Sequence, residues 1–169
     1  NNTVLTSTGS SQVTALAGNW TTHTLKIDNT NAGSSNSLAL GSNNLTLDAS
    51  QGAILFHGNG TTVGSGPATT GDFTISGTGT VGSAIATNSD LIIHTFGSGR
   101  LLLNAPIAAS NGTSTLTKAG NGTLVLGGTN LYAGATHITA GTLSISNVNN
   151  IGASGATSTA AINITDGAT

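Results

Sequence analysis

The segment TLTKAGNGTLVLGGTNLYAGATHITAGTLSIS, residues 115–146, alternates apolar residues with Thr, Ser and Lys and is interrupted by glycine every few residues. Such alternation is typical of short β-strands with one buried face, and the glycines are typical of the turns between them. A single hairpin would leave most of this apolar surface in water, because a two-stranded ribbon has no second layer. The pattern therefore predicts that neighbouring copies of the same motif cover one another.

Pairs of apolar residues separated by one position recur along the whole chain. The first members of the main series are Ile54, Phe73, Leu91, Leu101, Leu124, Leu143 and Ile162. Most neighbours in this series are about 20 residues apart, a spacing typical of solenoid repeats, and the exception is the short step from Leu91 to Leu101. Residues two apart in a strand point to the same face, so the recurrence predicts internal rows of like side chains. The short step is explained if 91–94 and 100–103 are two strands of one coil, joined by the corner TFGSG.

This spacing is too short for a parallel connection that contains a helix, and no segment has a helical pattern. We therefore predict an all-β fold, a parallel β-helix (β-solenoid) of roughly seven or eight coils with no significant helix. Each coil would contain about 18–23 residues, with Gly, Asn and Ser at its corners. Residues 1–169 are expected to form a single solenoid segment, a fragment or subunit of a longer extracellular assembly.

The composition excludes several functional classes. The 169 residues include three basic residues, five acidic residues and no cysteine. Three scattered cations cannot form a nucleic-acid surface or a polybasic membrane patch, and the lack of cysteine removes disulfides and thiol chemistry. No apolar run approaches the roughly 18 residues of a membrane-spanning helix. We expect neither a nucleic-acid partner nor a transmembrane segment in this chain.

The aspartates offer two candidate pairs. Asp28 and Asp48 each follow an apolar pair, Asp72 and Asp90 each precede one, and the members of either couple are separated by roughly the length of one predicted coil. On adjacent coils, either couple would lie about 5 Å apart and would need a cation or a proton between its members. Solvated aspartates at strand ends are the simpler interpretation, and a cation site or a catalytic pair are the alternatives. We expect no catalytic residue, metal or cofactor.

The other residues with potential chemistry are dispersed. His23, His57, His94 and His137 include no close His-x-His pair, which is typical of exposed polar residues rather than metal ligands. Trp20 is the only tryptophan. It is expected either to cap the first coil or to contact a ligand.

The residue between two inward positions should point outward. It is apolar at Leu55, Ile92, Leu102 and Val125. If three of these residues align, the outer surface carries an apolar contact stripe, which usually marks an interaction surface. The alternative is that a register shift or an irregular loop buries them.

One part of the chain carries a more specific motif. Its residues are Leu116, Lys118, Gly120, Gly122, Thr123, Leu124, Leu126, Gly128, Asn130, Tyr132, Gly134, Thr136, Ile138, Gly141, Thr142 and Leu143. In type and order this motif resembles the autotransporter-associated β-strand repeat of bacterial secreted passenger domains. The resemblance implies a right-handed parallel β-helix that is exported across a Gram-negative outer membrane and is displayed or released outside the cell.

These observations predict a non-enzymatic extracellular structural or adhesive protein. It would act as a rigid surface-displayed stalk or as a self-associating filament subunit in adhesion, biofilm or cell–cell contact. No capping helix or charged terminal coil is evident, so we expect self-association end to end or side by side, with surface glycans or receptors as further partners. One alternative is a polysaccharide-binding or polysaccharide-degrading β-helix protein, and another is a disordered low-complexity linker.

Overall fold

The computed structural model describes residues 2–6, 12–30, 36–47, 51–59, 71–83, 90–108, 114–152, 162–165 and 167–169. Their regular structure is almost entirely β, and a 3₁₀ turn at Val148–Ile151 is the one helical element among them. None of the helical structure found in this part of the chain has the length and apolar character needed to cross a membrane.

Three parallel sheets contain all the strands of the described residues. The first sheet has seven, in the spatial order β1 (Asn2–Thr6), β4 (Thr24–Asn29), β7 (Gln51–Gly58), β10 (Asp90–Phe96), β12 (Thr115–Ala119), β14 (Thr136–Ile138) and β16 (Ile162–Ile164). The second sheet has six, β2 (Val13–Ala15), β5 (Asn36–Gly41), β8 (Phe73–Gly77), β11 (Arg100–Leu103), β13 (Thr123–Leu126) and β15 (Thr142–Ile145). The third sheet has three, β3 (Trp20–Thr22), β6 (Leu45–Leu47) and β9 (Val81–Ser83).

The chain winds in one repeated order. In each of the first three coils it passes from the first sheet to the second and then to the third. Each strand therefore pairs with the strand one coil earlier, and the pairing is parallel throughout the described residues. In the fourth coil the third side is reduced to a single parallel bridge between Val81 and Ile107. This winding is that of a three-sided parallel β-solenoid, which confirms the predicted fold class.

The coils are less even than the sequence pattern indicates. Along the first sheet, Leu5 pairs with Ile27, Leu25 with Ile54, and Ile54 with Ile93, so the third of these coils is nearly twice as long as the first. The later coils are shorter again. Seven strands in the first sheet agree with the predicted number of coils. The predicted coil length holds for only part of the chain, such as the coils that begin at Leu5 and Leu116.

The difference in coil length has a simple cause. The recurring apolar pairs do not all lie on one side of the coil, because Ile54 and Leu91 belong to the first sheet while Phe73 belongs to the second. The number of residues between consecutive pairs is therefore often the separation of two sides of one coil, and not the length of a whole coil. The predicted two-strand coil is confirmed, with β10 and β11 on neighbouring sides. Leu124 stacks on Leu143 as expected, but Ile162 lies on Thr136 in the first sheet.

The core is a set of narrow internal columns. One internal column in the second sheet contains Leu38, Ile75, Leu103 and Leu126. These side chains are at most 1% exposed, and similar columns fill the other two sides. Because each coil adds only a few buried side chains and a row of backbone hydrogen bonds, stability accumulates with the number of stacked coils.

Candidate functional site

The four predicted outward apolar residues lie on two different sheets. Leu55 and Ile92 are in the first sheet, and Leu102 and Val125 are in the second. All four are half-buried. Leu102 pairs with Val125, but the row continues into threonine and serine on either side, so no three of the four residues align. Their role as a contact surface stays a prediction.

A different group of side chains comes together on the outer face of the first sheet. We call it the first-sheet patch, and it consists of Lys26, Asp28, Leu55, His57, His94 and Phe96. The strand register places Lys26, Leu55 and His94 in one row. Asp28, His57 and Phe96 form the adjacent row. The rings of His94 and Phe96 are stacked, with centroids 4.3 Å apart and an interplanar angle of 27°. The Lys26 ammonium lies 3.6 Å from the Asp28 carboxylate.

The structure separates Asp72 from Asp90, and it describes only one member of the other predicted pair, Asp28 and Asp48. Asp28 lies in the first sheet, and Asp48 lies outside the described residues. Asp72 precedes a strand of the second sheet, whereas Asp90 begins β10 of the first sheet and accepts hydrogen bonds from two threonine hydroxyls at 2.8–3.1 Å. Within the described part of the chain, no three His, Asp or Glu side chains are grouped to hold a metal ion.

Asp72 forms a buried ion pair that the sequence analysis missed. Its carboxylate accepts hydrogen bonds from Arg100, from Nη2 at 2.6 Å, from Nε at 2.9 Å and from the backbone N at 2.7 Å. The two side chains are 0% and 1% exposed. Each residue directly precedes an inward apolar pair, one coil apart. This equivalence of position was the signal in the sequence that could have identified the pair.

Two buried asparagines extend this polar group into the preceding coil. Asn29 donates from Nδ2 to the backbone oxygen of Asp72 at 2.9 Å. Asn36 donates from Nδ2 to Asn29 Oδ1 at 2.5 Å, and its own Oδ1 accepts from the backbone N of Gln12 at 2.7 Å. We call Asn29, Asn36, Asp72 and Arg100 the corner cluster. Since its members come from three successive coils, the cluster fixes the stacking of the corners between the first and second sheets.

Lys118 lies inside the solenoid. The alternation of residues 115–146 placed it among the outward polar residues, but it occupies the inward column between Ile93 and Ile138 and is 0% exposed. Its ammonium donates hydrogen bonds to the backbone oxygens of Ala119, Gly120 and Ala140 at 2.9, 2.7 and 3.0 Å. Burial lowers the pKa of Lys118 to about 8. The side chain therefore joins two coils at one corner.

A second set of buried amides links the later coils. Asn130 accepts from the backbone N of Ile107 at 2.7 Å and donates to the backbone oxygen of Asn150 at 2.5 Å. Asn150 donates in turn to the backbone oxygen of Gly128 at 2.9 Å. Each asparagine thus satisfies backbone groups that would otherwise be buried without partners.

The remaining candidates are dispersed. His23 is exposed between β3 and β4, and His137 lies in β14, with Nδ1 3.4 Å from the amide nitrogen of Asn163. Trp20 lies in β3, the edge strand of the third sheet, and packs partly buried against the core. This is the position expected of a residue that caps the first coils.

The comparison with known families bears on one segment. Residues 116–145 match the family model of the passenger-associated-transport-repeat. This match confirms the resemblance seen in the sequence. The repeat extends over β13, β14 and β15 and most of β12, which is more than one turn of the solenoid, and it contains the buried Lys118, Asn130 and Tyr132. Neither a curated protein nor a solved structure is significantly similar to the chain.

Proposed function

We propose that this protein is a non-enzymatic structural passenger, a rigid β-solenoid stalk presented outside the cell in adhesion, biofilm or cell–cell contact. The observation that carries the proposal is the match of residues 116–145 to a passenger-associated repeat, which is structural rather than catalytic. The same residues form stacked parallel strands in the solenoid. A repeat of this family is associated with secreted or cell-surface proteins, which supports export across an outer membrane.

Rigidity is the property that the proposed stalk requires. Every coil is hydrogen-bonded to its neighbours along the sheets, and the corners are joined by buried side chains such as Lys118 and Arg100. These contacts run along the axis and leave the outer faces free for contact with other surfaces. A solenoid built in this way resists bending and shear, because neighbouring coils cannot slide without breaking buried hydrogen bonds.

The outer edges of the stack support self-association as part of this function. At one edge, Val4 and Val13 are 57% and 73% exposed, and at the other edge Ile162 and Ile164 are 48% and 60% exposed. The edge strands of parallel sheets present unpaired backbone groups to a further strand. Joining unlike edges is a heterologous contact, which continues as a filament if it does not close into a ring.

Immunogold electron microscopy of the producing cells tests the presentation of the stalk. We expect gold particles outside the outer membrane. We also expect deletion of the coding sequence to abolish cell aggregation, measured as settling of the culture. Labelling confined to the cell interior would contradict the proposal. Settling that survives the deletion would contradict the adhesive role and leave the structural role in place.

The alternative of a polysaccharide-degrading protein receives less support. Within the described residues, the aspartates Asp28, Asp72 and Asp90 lie on different strands or corners, and Asp72 is held in a buried ion pair. A glycosidase requires two carboxyl groups that face the same bond. A reducing-sugar assay with neutral polysaccharides should therefore show no release of product.

A further inference from the structure

The first-sheet patch concentrates side chains that are rare elsewhere in this protein. All three cations of the chain lie among the described residues, and Arg100 and Lys118 are buried, which leaves Lys26 as the accessible one. Likewise, of the five Phe, Tyr and Trp side chains, Phe96 is the most exposed, at 37%. Both residues lie within a group of six on three neighbouring strands, in a protein whose surface is otherwise rich in Thr, Ser and Asn.

The patch follows the regular parallel register of three neighbouring strands. Neighbouring strands are about 4.8 Å apart, and outward residues on one strand are about 6.6 Å apart. Phe96 and His94 form a stacked pair of rings at one side of the patch. His57 lies beside Phe96 in the same row, and Asp28 lies on the far side of His57. The patch therefore places a stacked ring pair beside hydrogen-bonding side chains on the two neighbouring strands.

The chemistry of the patch favours a neutral hydroxylated ligand. Aromatic faces carry partial negative charge and attract C–H groups, such as those on the face of a pyranose ring. Lys26 donates hydrogen bonds, Asp28 accepts them, and His57 can do either, so sugar hydroxyls find both kinds of partner. The ammonium and the carboxylate are 3.6 Å apart and offset each other's charge, which gives no attraction for a polyanion.

We propose that the outer face of β4, β7 and β10 is a binding platform for a neutral polysaccharide. One sugar ring packs against Phe96 of the stacked ring pair, and hydroxyl groups of this and the neighbouring sugar units hydrogen-bond to His57, Asp28 and Lys26. The platform goes beyond the stalk function, since it would give the stalk a specific surface to adhere to. Its test uses the purified chain, so failure of binding would leave the evidence for the solenoid and its export unchanged.

The test is a titration of the ¹⁵N-labelled full chain with cellohexaose, maltohexaose and chitohexaose, followed by amide chemical shifts. At least one of these neutral sugars should shift the signals of β4, β7 and β10 and leave the second sheet unaffected. Phe96→Ala should weaken the binding about fivefold to tenfold. The matched control is Leu131→Ala, which removes an apolar side chain that is 56% exposed outside the patch and should leave the affinity unchanged.

Three results would overturn the proposal. The first is the absence of shifts with all three sugars at millimolar concentration. The second is binding that Phe96→Ala and His57→Ala leave intact. The third is a concentration-dependent change in the same signals without sugar, because the patch would then be covered by a second copy of the chain.

Discussion

At the scale of single residues, the most unusual feature is the buried Lys118. Within the described residues, the hydrogen bonds of its ammonium all go to backbone oxygens. Lys118 occupies a position that an aliphatic residue fills in the neighbouring coils. Three carbonyl oxygens from two coils accept its hydrogen bonds. Removing the ammonium from water costs free energy, so the residue adds specificity to the corner at the expense of stability at neutral pH.

The first prediction concerns the pH dependence of stability. The pKa of Lys118 is about 8 in the folded protein, below the ordinary value of 10.5. Between these values the unfolded chain binds the proton more tightly, so the free energy of unfolding should rise as pH increases, by about 2 kcal/mol from pH 7 to pH 10. Urea unfolding at several pH values measures this slope. Lys118→Met should abolish the rise, and an unchanged slope in that variant would contradict the assignment.

A second prediction concerns the buried ion pair. Arg100→Met leaves the carboxylate of Asp72 buried without its main partner, so the free energy of unfolding should fall by about 3–5 kcal/mol. Combining it with Asp72→Asn should recover part of this loss, because the unpaired charge is then removed. Lys26→Met is the control, since it breaks an exposed pair and should cost less than about 1 kcal/mol. Equal losses in the two single variants would contradict the structural role of the corner cluster.

At the scale of elements, the corners decide how coils stack. Gly120 and Gly141 have φ angles of 75° and 69°, which L-residues with side chains rarely adopt. They lie one above the other, and a Cβ at Gly141 would collide with the backbone oxygens of Gly120 and Gly122. Glycine is therefore required both for the turn and for the close approach of adjacent coils.

The third prediction tests this corner. Gly141→Ala should lower the free energy of unfolding by about 1–3 kcal/mol. The alanine side chain strains the backbone at this positive φ and forces the adjacent coils apart. Gly18→Ala is the matched control, since a Cβ there meets no atom within 4 Å, and its effect should stay within about 0.5 kcal/mol. Thermal or urea unfolding compares the two variants. Equal stability of Gly141→Ala and the unsubstituted chain would contradict the described corner.

The strands could be predicted from the sequence better than the corners. Leu124 and Leu126 form an alternating pair, and such pairs report a buried face directly. Alternation does not report which of three sides a strand occupies, so it does not predict the long coils that begin at Leu25 and Ile54. Buried polar residues such as Lys118 also follow no hydrophobic pattern. Their positions depend on partners one coil away, and only the three-dimensional winding identifies those partners.

At the scale of the whole molecule, the edge strands of the stack leave apolar side chains exposed. Ile162 and Ile164 belong to the inward face of β16 and are exposed because no strand lies over them among the described residues. Unlike edges of the same chain have the same strand direction, so we expect a second copy to add to the stack by parallel strand pairing.

The fourth prediction is that the purified chain self-associates through these edges. Sedimentation velocity at increasing protein concentration should show oligomers, and the double substitution Ile162→Lys with Ile164→Lys should shift the distribution to monomers. Leu131→Lys is the control, since it changes an exposed apolar residue away from the edge strands. Monomers at every concentration in all three proteins would contradict end-to-end assembly.

In this solenoid, coils stack at the spacing of hydrogen-bonded strands, whatever their separation in sequence. The chain has no cysteine, so spin labels can be attached at Thr24→Cys with either His137→Cys or Asn163→Cys. These residues share one outward row of the first sheet, four and five coils apart. Pulsed electron–electron double resonance should therefore give a distance of about 19 Å for the pair with His137→Cys and about 24 Å for the pair with Asn163→Cys. Broad distributions, or distances that do not increase by about one strand spacing between the two pairs, would contradict the solenoid.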